Sequence, residues 1–205
     1  VYGGTAEMTA GVATMCAELE VPIVGGNVSL YNHSEDGPIP PTPTMLLIGA
    51  DAMAAPPGVE AAGDGTLVVL GGLEGGLGGS LHAAVMGGGG SFPELPEAPQ
   101  QRLRTIAEIA RSPVVTAMHD IADGGLLVAL LELVGSTTGA SVRVPDQQML
   151  FTERPARVLV ETTDATALHE QLAGRMPIAE IGRTTADPTV RLTAGDEQMH
   201  IDRPT

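Results

Sequence analysis

The spacing of apolar and polar side chains predicts a chain that alternates short buried strands with helices. Between residues 5 and 19, Met8, Val12, Met15, Cys16 and Leu19 recur at steps of three and four, which is one apolar face of a helix. Residues 21–24 are apolar and β-branched and end in Gly25 and Gly26, so they predict a strand that runs into a sharp turn. Pro38, Pro40, Pro41 and Pro43 predict a stiff, extended connection to a second buried strand over residues 45–49. Residues 51–65 are rich in Ala, Pro and Gly without any period and predict a linker.

The pattern then starts afresh. Strands are predicted over residues 66–70, 114–118, 140–144, 157–160, 177–181 and 190–192, and helices over 102–110, 125–134 and 165–172. A shorter helix is expected from Ser80 to Met86, because the four successive glycines that follow lose too much backbone entropy to stay helical. The organisation expected is therefore part of one domain over residues 1–50, a linker over 51–65, and an α+β (mixed α/β) domain over 66–205. The chain begins without Met, in text that already reads as the middle of a helix, and is expected to be a piece of something longer. A partial domain exposes apolar edges, so pairing with a second copy is also expected.

Composition narrows the picture. Aromatic residues are only 2% of the chain while 43% is hydrophobic, so the core must be built from Val, Leu, Ile, Ala and Met. No apolar run approaches the roughly 20 residues that cross a bilayer, and residues 1–10 lack the parts of a secretory signal, which predicts a cytoplasmic protein with no membrane partner. The lone Cys16 forms no internal disulfide and reads as a small buried thiol on a helix. With 25 acidic against 10 basic side chains the net charge of −15 repels a nucleic-acid backbone, so no nucleic acid is expected. A nucleoside triphosphate is not excluded in the same way, because Mg²⁺ can neutralise both sides of the contact.

Three segments can carry chemistry. In Gly25-Gly26-Asn27-Val28-Ser29 the glycines bare backbone N–H groups, Asn27 offers an amide oxygen of the kind Mg²⁺ accepts, and Ser29 offers a hydroxyl; an ordinary turn is the alternative. In His119-Asp120-Ile121-Ala122-Asp123-Gly124-Gly125, where a strand meets a helix, Asp120 and Asp123 are hard oxygen ligands beside N–H groups that favour an anion. The alternative there is that Asp123 caps the helix and His119 satisfies a core hydrogen bond. The glycine loop over residues 73–80 has neither a Walker lysine nor dinucleotide-fingerprint spacing, and predicts a tight turn with Ser80 as helix N-cap.

Taken in order, five landmarks resemble the small, multi-subunit type of phosphoribosylformylglycinamidine synthase, within the aminoimidazole ribonucleotide synthetase superfamily. They are Val21-Pro22-Ile23-Val24-Gly25-Gly26-Asn27-Val28-Ser29-Leu30-Tyr31-Asn32, Ile39-Pro40-Pro41-Thr42-Pro43-Thr44, Leu77-Gly78-Gly79-Ser80, His119 through Leu126, and Leu150-Phe151-Thr152-Glu153 with Arg157. The resemblance implies two superfamily repeats in the whole protein, of which this chain holds the end of the second ATP-site domain and the whole second C-terminal-type domain. It implies Gly26 at ATP, Asn27 on Mg²⁺, and Ser29 on formylglycinamide ribonucleotide. It further implies Asp120 as a Mg²⁺ ligand of an auxiliary nucleotide site, where the family's hydroxyl two residues later is here Ala122. No residue of this chain matches the family's catalytic histidine, which lies in the first repeat.

The activity so implied is an ATP-dependent ligase of purine biosynthesis that makes an amidine, taking ammonia from a glutaminase subunit held by a small bridging subunit. An isolated piece is expected to be inactive. Two other readings stand beside it: another ATP-dependent enzyme of the superfamily, against which the run Asn27-Val28-Ser29-Leu30-Tyr31-Asn32 argues, and a non-catalytic scaffold that binds partner subunits.

Overall fold

The computed structural model describes residues 2–28, 33–38, 43–50 and 57–202. The chain divides into two compact units, Val1–Ala52 and Met53–Thr205.

In the first unit, helix α1 spans Tyr2–Leu19 and is followed by a small antiparallel pair, β1 (His33–Ser34) and β2 (Gly37–Pro38). The helix closes where Val21 N donates to Cys16 O and Glu20 adopts a left-handed φ of 59°. Residues 21–24 and 45–49 take no regular secondary structure and have no strand pairing among the described residues, which corrects the two strands expected there. Their apolar side chains are open, with Ile23 67% and Val24 88% exposed. A strand exists by its ladder of hydrogen bonds, and no described residue pairs with these segments.

The second unit is a seven-stranded mixed sheet with helices on both faces. Its strands are β3 (Thr66–Leu70), β4 (Val115–Asp120), β5 (Gly139–Val144), β6 (Val158–Thr162), β7 (Ile178–Thr185), β8 (Val190–Ala194) and β9 (Glu197–Ile201). Their spatial order is β4-β6-β3-β7-β5-β8-β9, and every neighbouring pair is antiparallel except β5 with β8. The helices are α2 (Leu81–Met86), α3 (Pro99–Ile109), α4 (Gly125–Leu133) and α5 (Ala165–Leu172).

Strand β3 shows why the sheet needs cover on both sides. Leu67 and Val69 point into one core with Leu126, Ala129, Leu130 and Leu133 of α4, while Val68 and Leu70 point into a second core with Ile109 of α3 and Leu168 and Leu172 of α5. Side chains of successive strand residues leave on opposite faces, so a strand buried on both reads as an unbroken apolar run. Residues 57–65, in the stretch expected as a linker, are bound to this sheet: Gly58 bridges to Ala117, Ala61 N donates to Leu133 O, and Ala61 is buried.

Candidate functional site

The two glycine turns singled out in the sequence lie in different units. Beside Gly25 and Gly26 there is open space, since a Cβ built at either would meet no atom within 4 Å. Asn27 is exposed. Ser29, expected on the substrate, lies outside the described residues. An open groove of about 590 Å³ lies ahead of this turn in the chain, between Ala13, Cys16 and Ala17 of α1 and Val21 to Ile23, and Cys16 is half-buried along it.

The second turn is better defined. Strand β4 pairs with β6 so that Asp120 stands opposite Val158, which brings Arg157 beside the end of β4, where Ile121 N donates to Arg157 O at 3.1 Å. The chain then turns through two left-handed glycines, Gly124 (φ 82°) and Gly125 (φ 71°), to enter α4. Gly125 cannot carry a side chain here, because a Cβ would lie 2.7 Å from Leu150 O. Gly124 is the N-cap and no side chain caps the helix, so Asp123 does not serve that role. His119 is not a core residue either: its Nδ1 lies 2.8 Å from Asp120 O and its Nε2 3.3 Å from Glu132 Oε2.

Two of the sequence landmarks meet at one cavity of about 300 Å³, whose wall includes Asp120, Asp123, Glu153, Arg154 and Arg157. A third landmark joins them through Glu153. Its Oε1 accepts from Gly124 N at 2.8 Å and from Leu81 N, the first residue of α2, at 2.8 Å. One carboxylate oxygen therefore satisfies donors at the starts of two helices, where backbone N–H groups lack partners of their own. Ser80 caps α2 as expected, its Oγ accepting from Ala83 N at 3.1 Å and donating to Leu77 O at 2.7 Å.

Arg157 is 2% exposed, and its Nη1 donates to Thr152 O at 3.1 Å and Thr152 Oγ1 at 2.8 Å. Its Nε and Nη2 are buried without a partner. Burial first and the charge of Arg154 second lower its pKa to about 10, against a smaller opposite pull from Glu74. The carboxylate of Asp120 is 75% exposed and its nearest ionic partner, His119 Nδ1, is 3.6 Å away, so its oxygens are open to a further ligand. Among the described residues no three His, Cys, Asp or Glu side chains gather into a closed metal site. An open carboxylate of this kind is chemically suited to Mg²⁺, which takes oxygen ligands and few of them from protein.

In the sequence Glu153 and Arg157 are landmarks without a role. Arg157 and Glu161 signal themselves as charges beside and inside the apolar strand β6, a place where charged side chains survive only when paired or hydrogen-bonded, whereas Glu153 carries no such local signal. Glu161 is fully buried and accepts from Ala62 N (2.7 Å), Gly63 N (3.1 Å), Thr116 Oγ1 (2.6 Å) and Thr184 Oγ1 (2.5 Å). It fastens the segment before β3 to β4, β6 and β7.

Residues 62–195 match the family described as AIR synthase related protein, C-terminal domain. The chain belongs to that family. It is also 45% identical, over its whole length, to the phosphoribosylformylglycinamidine synthase subunit PurL of Halorubrum lacusprofundi, and 46% identical over 97% of its length to that of Natronomonas pharaonis. It spans 28% of the length of each of these relatives. Among solved structures, PurL of T. maritima complexed with FGAR shares the fold with a TM-score of 0.58 at 19% identity, over 71% of this chain and 28% of that one. The same protein complexed with ATP gives 0.55 at 19% identity, over 73% and 26%. The mixed sheet with helices on both faces agrees with the α+β fold expected from sequence.

Proposed function

We propose that this chain is part of the ATP-dependent ligase that converts formylglycinamide ribonucleotide, ammonia and ATP to formylglycinamidine ribonucleotide, ADP and phosphate. The observation that carries the reading is identity of 45% across the full chain to a synthase subunit of that name. In this reading residues 1–50 end the second ATP-site domain, residues 51–65 link it onward, and residues 66–205 form the second C-terminal-type domain. Gly26 lies at ATP, Asn27 and Asp120 each supply an oxygen to Mg²⁺, and Ser29 touches the ribonucleotide. Open space beside Gly25 and Gly26 and the exposure of Asn27 support these roles.

The reaction has two transfers. The substrate amide oxygen attacks the γ-phosphorus of ATP and ADP leaves; ammonia then adds to the activated carbon, and phosphate departs with the amide oxygen. Mg²⁺, when bound, offsets the charge on the phosphoryl oxygens. The bare backbone at Gly25 and Gly26 lets the nucleotide approach closely, and the Ser29 hydroxyl orients the acceptor. Ammonia comes from a glutaminase subunit through a complex with a small bridging subunit, in line with a solved T. maritima assembly called PurLQS. A cytoplasmic location and a homodimer are part of the proposal; no described helix is long and apolar enough to cross a membrane.

The test is steady-state ADP release by the full-length subunit supplied with formylglycinamide ribonucleotide and ammonium. Turnover should require both, and Asn27→Ala should lower it by about tenfold or more, the cost of one charge-assisted contact. Undiminished turnover in that variant removes Asn27 from the metal, and ADP release independent of the ribonucleotide removes the ligase reading.

A further inference from the structure

The second core covers only half of its side of the sheet. Strands β3, β4, β6 and β7 supply it together with α3 and α5, and no residue of β5, β8 or β9 joins it. Those three strands alternate instead: Val142, Val144, Val190 and Leu192 are buried on the α4 side, while Ser141, Arg143, Arg191 and His200 are exposed on the other. Such alternation marks a sheet face open to water. The register lines the exposed side chains up. Arg183 of β7 stands opposite Ser141 of β5, Ser141 opposite Arg191 of β8, and Arg191 opposite His200 of β9, a single row across four strands, with Arg143 two residues along β5 from Ser141. Neighbouring strands lie about 4.8 Å apart, so the backbones of the three arginines fall within about 10 Å of one another. They are three of only 10 basic side chains in a chain of net charge −15. Arg183 is held by neutral acceptors, Thr66 Oγ1 at 3.1 Å and Asp64 O at 2.9 Å, and Arg191 pairs with Asp187 at 2.8 Å. Arg143 has no hydrogen bond or ion pair among the described residues. This face is therefore opposite in sign to the molecule that carries it.

We propose that the open face of β7, β5, β8 and β9 is a docking surface for an acidic patch on a different protein chain, whose carboxylates pair with Arg143, Arg183 and Arg191. The planar fork of a guanidinium matches the two oxygens of a carboxylate, and Arg is favoured where proteins meet. Charge and symmetry decide among the occupants. A second copy sets the same arginines against each other across a two-fold axis. A nucleic acid runs off the row onto the acidic remainder of the molecule. A compact acidic protein patch meets neither obstacle. None of these side chains takes part in the chemistry proposed above, so the face is independent of it.

Fluorescence anisotropy of labelled octaglutamate with the full chain tests this at about 0.1 M salt, where charges beyond roughly 10 Å are screened and the local face is read rather than the net charge. Octaglutamate should bind there and be released at about 1 M salt, where screening sets in within roughly 3 Å. Arg143→Gln and Arg191→Gln should each weaken binding by about threefold, and the double variant by about tenfold, the scale of exposed ion pairs. Arg111→Gln removes the same charge just beyond α3, away from this face, and should leave binding unchanged. Arg143 has no partner to lose, so its variant decides the matter if Arg191→Gln does not fold, as circular dichroism will report. A chain that does not bind octaglutamate, an effect of Arg111→Gln equal to that of Arg143→Gln, or unchanged affinity in folded Arg143→Gln overturns the proposal. Tighter binding of octathymidylate than of octaglutamate overturns it in favour of nucleic acid, and a dimer in sedimentation that Arg143→Gln dissolves overturns it in favour of a second copy.

Discussion

Replacing Glu161 by Gln isolates what a buried carboxylate does for this sheet. The amide has almost the same shape, so packing is kept, but it is neutral and offers one acceptor oxygen in place of two. Four donors now converge on the carboxylate, two backbone N–H groups and two hydroxyls. If the amide oxygen stays on Gly63 N and Thr184, the NH₂ group faces Ala62 N–H, donor against donor, while the Thr116 hydroxyl can turn to accept. Four charge-assisted bonds become at most three neutral ones and one orphaned amide, a loss of about 3–5 kcal/mol at pH 7. Urea denaturation followed by circular dichroism measures this as a drop in midpoint at constant slope.

The pH dependence gives a second and sharper reading. Burial alone would push the Glu161 carboxyl up, but its hydrogen bonds, led by those from Thr116 and Thr184, outweigh burial and hold it below its ordinary 4.5. A group whose folded value is depressed adds stability that is present in full above the unfolded value and is lost as pH falls through the folded one. The gap between the parent chain and Glu161→Gln should therefore be constant above about pH 5 and narrow below pH 4.5, as the parent loses what the variant never had. A gap under about 1 kcal/mol at pH 7, or one that widens in acid, would refute the idea that the charged form is the one the fold selects.

Two further substitutions probe the turns around the cavity. Gly125→Ala forces a Cβ to within 2.7 Å of Leu150 O at a left-handed φ, and should cost about 2–4 kcal/mol in urea denaturation. Ser80→Ala removes the α2 cap and the bond to Leu77 O and should cost about 1–2 kcal/mol, with faster amide exchange at Ala83 as its local signature.

The parts of the fold legible in the sequence are those whose apolar runs end at glycine or a capping residue. Strand β3 matches its expected span, as does α5, which is capped by Asp164, whose side chain accepts from Ala167 N. Helix α4 is bounded by Gly124 and falls within a residue of its expected end. Strand β9 was missed because an edge strand is half in water, and Glu197-Gln198-Met199-His200-Ile201 has too few apolar positions to show a period. The opposite error befell residues 21–24 and 45–49, where apolar composition promised strands but a ladder needs a second chain segment to pair with. The cavity was only half legible. Asp120 and Arg157 are 37 positions apart and become neighbours through the register of β4 on β6, a pairing that local patterns do not encode.

Glu153 makes the glycine-loop helix and the helix behind the cavity share a single oxygen atom as their common fastening point. Neither loop can shift without pulling on the other or letting go of it. Anything that draws that carboxylate away frees two helix starts together, so the segment from residue 73 to 80 should report on events at Asp120 although the two regions have no sequence in common and lie some forty residues apart along the chain.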